Sequence, residues 1–172
     1  MIKIRNNIFE TNSSSIHAIC VQSAPVDNLK GIELRPSVGE FGWEHEWYQD
    51  VKSRASYIYT LACEIYCKDF ENEFCEMLEP YGIKVYKDWD NYAKFKNYGK
   101  DDEYFLDNGY VDHADYAKEF VDRCLSDSDY LVRFIFGDES FVMTTNDNCN
   151  YDEEESYAEK EAKDNELIWK GN

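Results

Sequence analysis

The chain has 172 residues, 43% hydrophobic and 16% aromatic, with only 3 Pro and 8 Gly. That is enough large apolar surface to bury a core, so the composition excludes wholesale disorder and fibrous repeats. The net charge of −18 is lopsided: residues 1–100 carry 12 Lys/Arg against 15 Asp/Glu, and residues 101–172 carry 6 against 21. Such a field repels nucleic acid and anionic membranes and attracts basic surfaces. The length fits one domain over residues 1–172, with an acidic segment at 146–166 as a small appendage.

In chain order, Met1 to Phe9 reads as a first strand and ETNSSS as a polar break. SIHAICV resumes the alternation, with Ile16, Ala18 and Cys20 on one face and His17, Ile19 and Val21 on the other. The simplest reading is a hairpin with a wide loop. IELRP is a short third strand. From about Trp43 the pattern turns helical, and Trp47, Val51, Ala55, Ile58, Ala62 and Ile65 keep the spacing of a buried stripe. FENEFCEMLEPYG predicts a second helix with Phe70, Phe74, Met77 and Leu78 inward, ended by Pro80 and Gly82. IKVYKDW reads as a strand, and residues 90–108 as a polar, aromatic loop. VDHADYAKEFVDRCL predicts a third helix with Ala117, Phe120, Val121 and Cys124 as its apolar stripe. YLVRFIFG and SFVMTT read as two strands of a hairpin turning at Asp138 and Glu139. NDNCNYDEEESYAEKEAKDNE is acidic, either helix or loose segment, and LIW is a last edge strand. The pattern predicts an α+β fold, an antiparallel sheet with about three helices packed on one side.

Six cysteines occur without a Cys-x-x-Cys pair. The N-terminus has no apolar signal region, and no run of about 18 apolar residues appears. The expectation is a cytoplasmic protein with free thiols, no metal and no cofactor. Asp112-His113 near a helix start can supply a base, or half a metal site with His17, but a helix cap and a surface imidazole is the simpler reading. His45 is the remaining histidine. Asn146, Asp147 and Asn148 lack the spacing and closing Glu of a calcium loop.

The loop FETNSSSIH, with Glu10, Asn12, Ser13, Ser14, Ser15 and His17, has three readings. It is a turn, an anion nest made of backbone N–H groups and hydroxyls, or a Ser/His nucleophile site. It lacks the Gly and Lys of a phosphate-binding P-loop, and no GxSxG elbow is present. In the acidic third, Asp152, Glu153, Glu154, Glu155, Glu159 and Glu161 are dense enough to resemble the charge spacing of a phosphate backbone, and Tyr151 and Tyr157 are candidate anchors. A solvated acidic tail is the plainer alternative.

The opening strand with FETNSSSIH, then VDHADY, then FIFGDESFVMTTNDN, resembles a family of small proteins encoded by phages and mobile elements of gut Firmicutes. The likeness covers the first twenty residues and roughly residues 109–148. It is looser to anti-CRISPR proteins, which disable type II RNA-guided nucleases. The resemblance implies a shared local structure around FETNSSSIH and assigns no catalytic residue. The expectation is a binding protein rather than an enzyme. It would inhibit a type II CRISPR effector nuclease, possibly loaded with guide RNA, by presenting a DNA-mimicking acidic surface. The alternative is a small phage enzyme that uses the serine loop, His17 and Asp112 or His113 on a phosphorylated or acylated substrate.

Overall fold

The computed structural model describes residues 16–42, 44–66, 70–86, 93–97, 104–145 and 150–170. The fold is α+β, as the pattern predicts. Its centre is a four-stranded antiparallel sheet ordered β10-β1-β9-β4, formed by β1 (His17–Val21), β4 (Glu46–Tyr48), β9 (Phe141–Thr144) and β10 (Glu166–Lys170). In register, Ile19 faces Ile168 on one side and Val142 on the other, and Met143 faces both Ala18 and Trp47.

The period of two sorts the side chains as the sequence suggests. Ile19, Val21 and Val142 enter the main core, and Ala18, Cys20, Phe141 and Met143 form a second cluster on the reverse face. All of β1 is buried because both faces are covered. β1 is also bonded along both edges, to β10 and β9. It is therefore not the second strand of an N-terminal hairpin, and the predicted first strand at Met1 to Phe9 lies outside the described residues.

Helices α1 (Val51–Tyr66), α2 (Phe70–Leu78), α3 (Lys118–Ser126) and α4 (Ser128–Phe136) share the main core. α1 begins later than its pattern suggests, since Trp47 lies in β4. Its stripe is also wider than predicted: every residue from Arg54 to Cys63 is buried. α3 buries Phe120, Val121 and Cys124 as its spacing requires, after a 3-10 turn over Ala114–Ala117.

The largest departure is α4, where YLVRFIFG reads as a strand. Tyr130, Leu131, Val132, Phe134, Ile135 and Phe136 are all buried, and a segment buried all round leaves no periodicity to separate helix from strand. The deciding signal is local. Asp127 caps the helix by accepting a hydrogen bond from the Tyr130 N–H, and Gly137 ends it. Asp138 and Glu139 thus turn a helix into β9, not a strand into a strand.

Three two-stranded pairs pack against α1 and α2. β2 (Glu33–Leu34) and β5 (Lys84–Val85) are parallel, as are β3 (Glu40–Phe41) and β8 (Tyr110–Val111). β6 (Phe95–Asn97) and β7 (Tyr104–Leu106) are antiparallel, so residues 90–108 carry a strand pair within the predicted loop. Helix α5 (Tyr151–Ala162) covers the reverse face of the sheet, with Ala158 and Ala162 against Cys20, Phe141 and Met143.

Arg54 staples these parts together. Its guanidinium is 1% exposed. It donates to the carbonyls of Ile135 at 3.1 and 2.8 Å, of Gln49 at 2.5 Å, and of Ser140. Burial holds its pKa down, to about 10, so it remains a cation at neutral pH. The charge faces the carbonyl end of α4, where the helix dipole favours it.

Candidate functional site

The acidic segment is an ordered helix where residues 150–162 are concerned. Asn150 starts it, its carbonyl accepting from the N–H groups of Glu153 and Glu154. Asp152, Glu153 and Glu154 fall in the first turn, where negative charge is stabilised by the exposed N–H groups. The two small buried residues, Ala158 and Ala162, let the helix lie close on the sheet. The carboxylates therefore project from its sides and back. Asp152, Glu153, Glu155 and Glu159 are exposed, and Glu154 and Glu161 are half-buried.

Helical spacing divides them. Asp152, Glu155 and Glu159 share one flank. Glu154 and Glu161 share the opposite flank, where Glu154 lies 3.4 Å from His45, the residue before β4. At ~1.5 Å rise per residue, the first three charges span about 10 Å, or one per ~5 Å. One strand of duplex DNA carries a charge per ~3.4 Å of axis. The flank is thus a sparser but comparable line of negative charge. Tyr157 is 49% exposed, the one exposed large hydrophobic side chain among the described residues. It meets Trp47 edge-on at 5.4 Å, and Trp47 stacks on Phe141 at 4.4 Å. Tyr151 opens the helix, and its side chain lies outside the description.

The second candidate place is the start of β1. Glu10, Asn12, Ser13, Ser14 and Ser15 lie outside the described residues, as do Asn146, Asp147 and Asn148. His17 is described and is 4% exposed. Its Nδ1 shares a hydrogen bond of 2.8 Å with the Tyr57 hydroxyl of α1. Its Nε2 is buried without a hydrogen-bond partner. Burial, with a contribution from His113, lowers its pKa to about 4, and burial also raises that of Tyr57. Both groups are therefore neutral at physiological pH.

His17 does approach Asp112 and His113. Gly42, at φ 97°, stands against all this: a Cβ there would collide with Nε2 and Cε1 of His17 and lie 3.0 Å from Asp112 Cβ. Asp112 Oδ2 is buried without a hydrogen-bond partner and sits 3.8 Å from His113 Nε2, too far for a hydrogen bond. The cap reading of Asp112-His113 is corrected. His113 has a left-handed backbone, φ 55°, and makes no side-chain cap to the following turn. His17 pairs with Thr144 of β9, and Asp112 lies beside it across Gly42.

Sequence reasoning brought His17 and Asp112-His113 into one hypothesis but missed Tyr57. On α1 it reads as one more aromatic of a core stripe, and nothing in its neighbourhood marks it as a histidine partner. As a catalytic base, His17 has one nitrogen engaged and the other packed beneath Gly42. No group of three or more His, Cys, Asp or Glu placed to hold a metal occurs among the described residues. Cys20, Cys63 and Cys124 are buried cysteines, and Cys75 is half-buried. No helix among the described residues is long and apolar enough to cross a membrane. No family model, no curated protein and no solved structure matches the chain.

Proposed function

We propose that the chain is a binding protein that inhibits a nucleic-acid enzyme by occupying its basic channel with the carboxylates of α5. The target that the motif resemblance points to is a type II RNA-guided CRISPR nuclease, and the activity is then anti-CRISPR inhibition by DNA mimicry. One observation carries the reading: a single helix, anchored by two alanines, presents Asp152, Glu155 and Glu159 in a line on one flank, with Glu153 exposed on its back. A channel that receives a phosphate backbone binds such a line through Lys and Arg.

The test is capture of the purified nuclease by tagged protein, with and without guide RNA, at low and moderate salt. The reading expects capture that weakens as salt rises, because exposed charge pairs are screened. It also expects loss of capture in the triple variant Asp152→Asn, Glu155→Gln, Glu159→Gln. Capture that ignores both salt and the triple variant overturns charge mimicry. The rival reading, an enzyme acting on a phosphorylated or acylated substrate, draws on the approach of His17 to Asp112 and His113. A folded His17→Ala or Ser14→Ala variant that has lost function would favour it.

A further inference from the structure

We propose that the β3–β8 pair is an acid-responsive latch, closed over neutral His17 and opening locally when that ring takes up a proton.

The geometry makes this pair the place to yield. Two residues on each strand join it, Glu40 to Tyr110 and Phe41 to Val111, in the parallel arrangement that is weaker per residue. Phe41 and Val111 pack into the core, and hydrogen bonds tie the pair to its surroundings. Gly39 N–H donates to Thr60 Oγ1 at 3.1 Å, Asp112 N–H to the Phe41 carbonyl at 2.8 Å, and Val111 N–H to Glu64 Oε2 at 2.7 Å. Its continuation passes through two residues in left-handed backbone, Gly42 and the non-glycine His113. A left-handed non-glycine residue stores strain that the surrounding contacts must hold.

The trigger lies beneath. Phe41 packs edge-on against Tyr57 at 5.4 Å, and Tyr57 holds His17 Nδ1. A protonated imidazole must donate from both nitrogens. Nδ1 has the Tyr57 oxygen, whereas Nε2 has no acceptor where it stands. Tyr57 on α1 bonds the ring, Asp112 and His113 after β8 lie beside it, Thr144 is its partner on β9, and Tyr48 and Glu64 stand one contact further out, at Tyr57 and Val111. Among these, the carboxylate with an unsatisfied buried oxygen is Asp112. A bond from Nε2 to Asp112 Oδ2 forms only if the segment after β8 shifts, because no such bond exists in the closed arrangement. Both His17 and Asp112 pack on the same side of Gly42, so that shift draws on β3 as well.

The size of the response follows from linkage. The ring binds its proton at about 4 when closed and at 6.5 when open, so opening becomes roughly 20-fold more frequent between pH 7 and pH 5. Carboxyl groups with ordinary values near ~4 contribute little in that window.

Hydrogen exchange of the full chain reads this directly. After correction for intrinsic rates, amides in residues 39–42 and 110–113 are expected to open about 20-fold more at pH 5 than at pH 7. Amides of α1 and α4 should keep their protection. His17→Gln should remove most of that rise, and His113→Gln should retain it. A rise below two-fold in the wild type, or one that survives His17→Gln but vanishes in His113→Gln, overturns the latch. If His17→Gln does not fold, imidazole NMR of the wild type decides. A His17 ring still neutral at pH 5 supports the proposal, and one that titrates near 6.5 overturns it.

Discussion

On the inner face of the sheet, Ile19, Val21 and Val142 pack beneath four helices in a core that runs on to Phe74, Phe120 and Phe134. On the outer face, Ala18, Cys20, Phe141 and Met143 meet one helix through Ala158 and Ala162. The inner side also buries Arg54, His17, Thr60 and Thr144. The outer helix instead carries its charge into solvent. Burial shifts ionisation on both faces, lowering His17 inside and raising Cys20 outside, but Asp152, Glu153, Glu155 and Glu159 of α5 lie exposed. One face thus holds the fold together, and the other presents a surface.

The contrast breaks most sharply at Arg54. Arg54→Met keeps an apolar stem but leaves the Ile135 and Ser140 carbonyls without their donor, and a loss of about 4 kcal/mol in urea unfolding is expected. A loss under 1 kcal/mol would mean that the staple is not what joins α1 to α4.

Acid comes next. His17 has a folded pKa of about 4, below the 6.5 of an exposed imidazole. The native state therefore binds fewer protons, and its stability is complete above pH 6.5. Stability then falls between pH 6.5 and pH 4, by about 3 kcal/mol in all. Denaturant midpoints followed across that range in wild type and His17→Gln isolate this share from the carboxylates.

Gly42→Ala is expected to cost roughly 3 kcal/mol. It forces a side chain into left-handed backbone and into the His17 ring at once. A neutral Gly42→Ala would show that the ring can swing away freely.

The outer face gives the smaller effects. Ala158→Glu places a charge against Phe141 and Met143 and should loosen α5 by about 2 kcal/mol, read as faster exchange in α5 while α1 keeps its protection. Last, the triple variant of Asp152, Glu155 and Glu159 should change stability by less than ~0.5 kcal/mol, because those side chains are solvated. Its effect belongs to binding alone. Together, these two variants separate the helix as a structural cover from the helix as a contact surface.

The elements with one buried face were legible. α3 shows Phe120, Val121 and Cys124 at helical spacing because its other side is wet, and β1 alternates because each face meets a different cluster. α4 was not legible, since it is buried nearly all round and its Asp127 cap is a weaker signal than six large apolar residues broken by Arg133 alone. The N-terminal pairing was misread for a different reason. Sequence neighbours suggest a hairpin, but the partners of β1 come from more than 100 residues further along the chain.

The amino-acid order by itself determined the charge imbalance, the α+β class and the acidity of the segment that became α5. These depend on composition and short-range period, which survive in any environment. Tertiary structure decided that α5 lies on the sheet with Asp152, Glu155 and Glu159 outward. It also decided that Tyr57 and Gly42 enclose His17. A histidine's chemistry is set by what surrounds it, and here the surroundings come from α1, β9, β10 and the segment beyond β8. No local reading could bring these together, because burial and the loss of water around the ring exist only once the chain has folded.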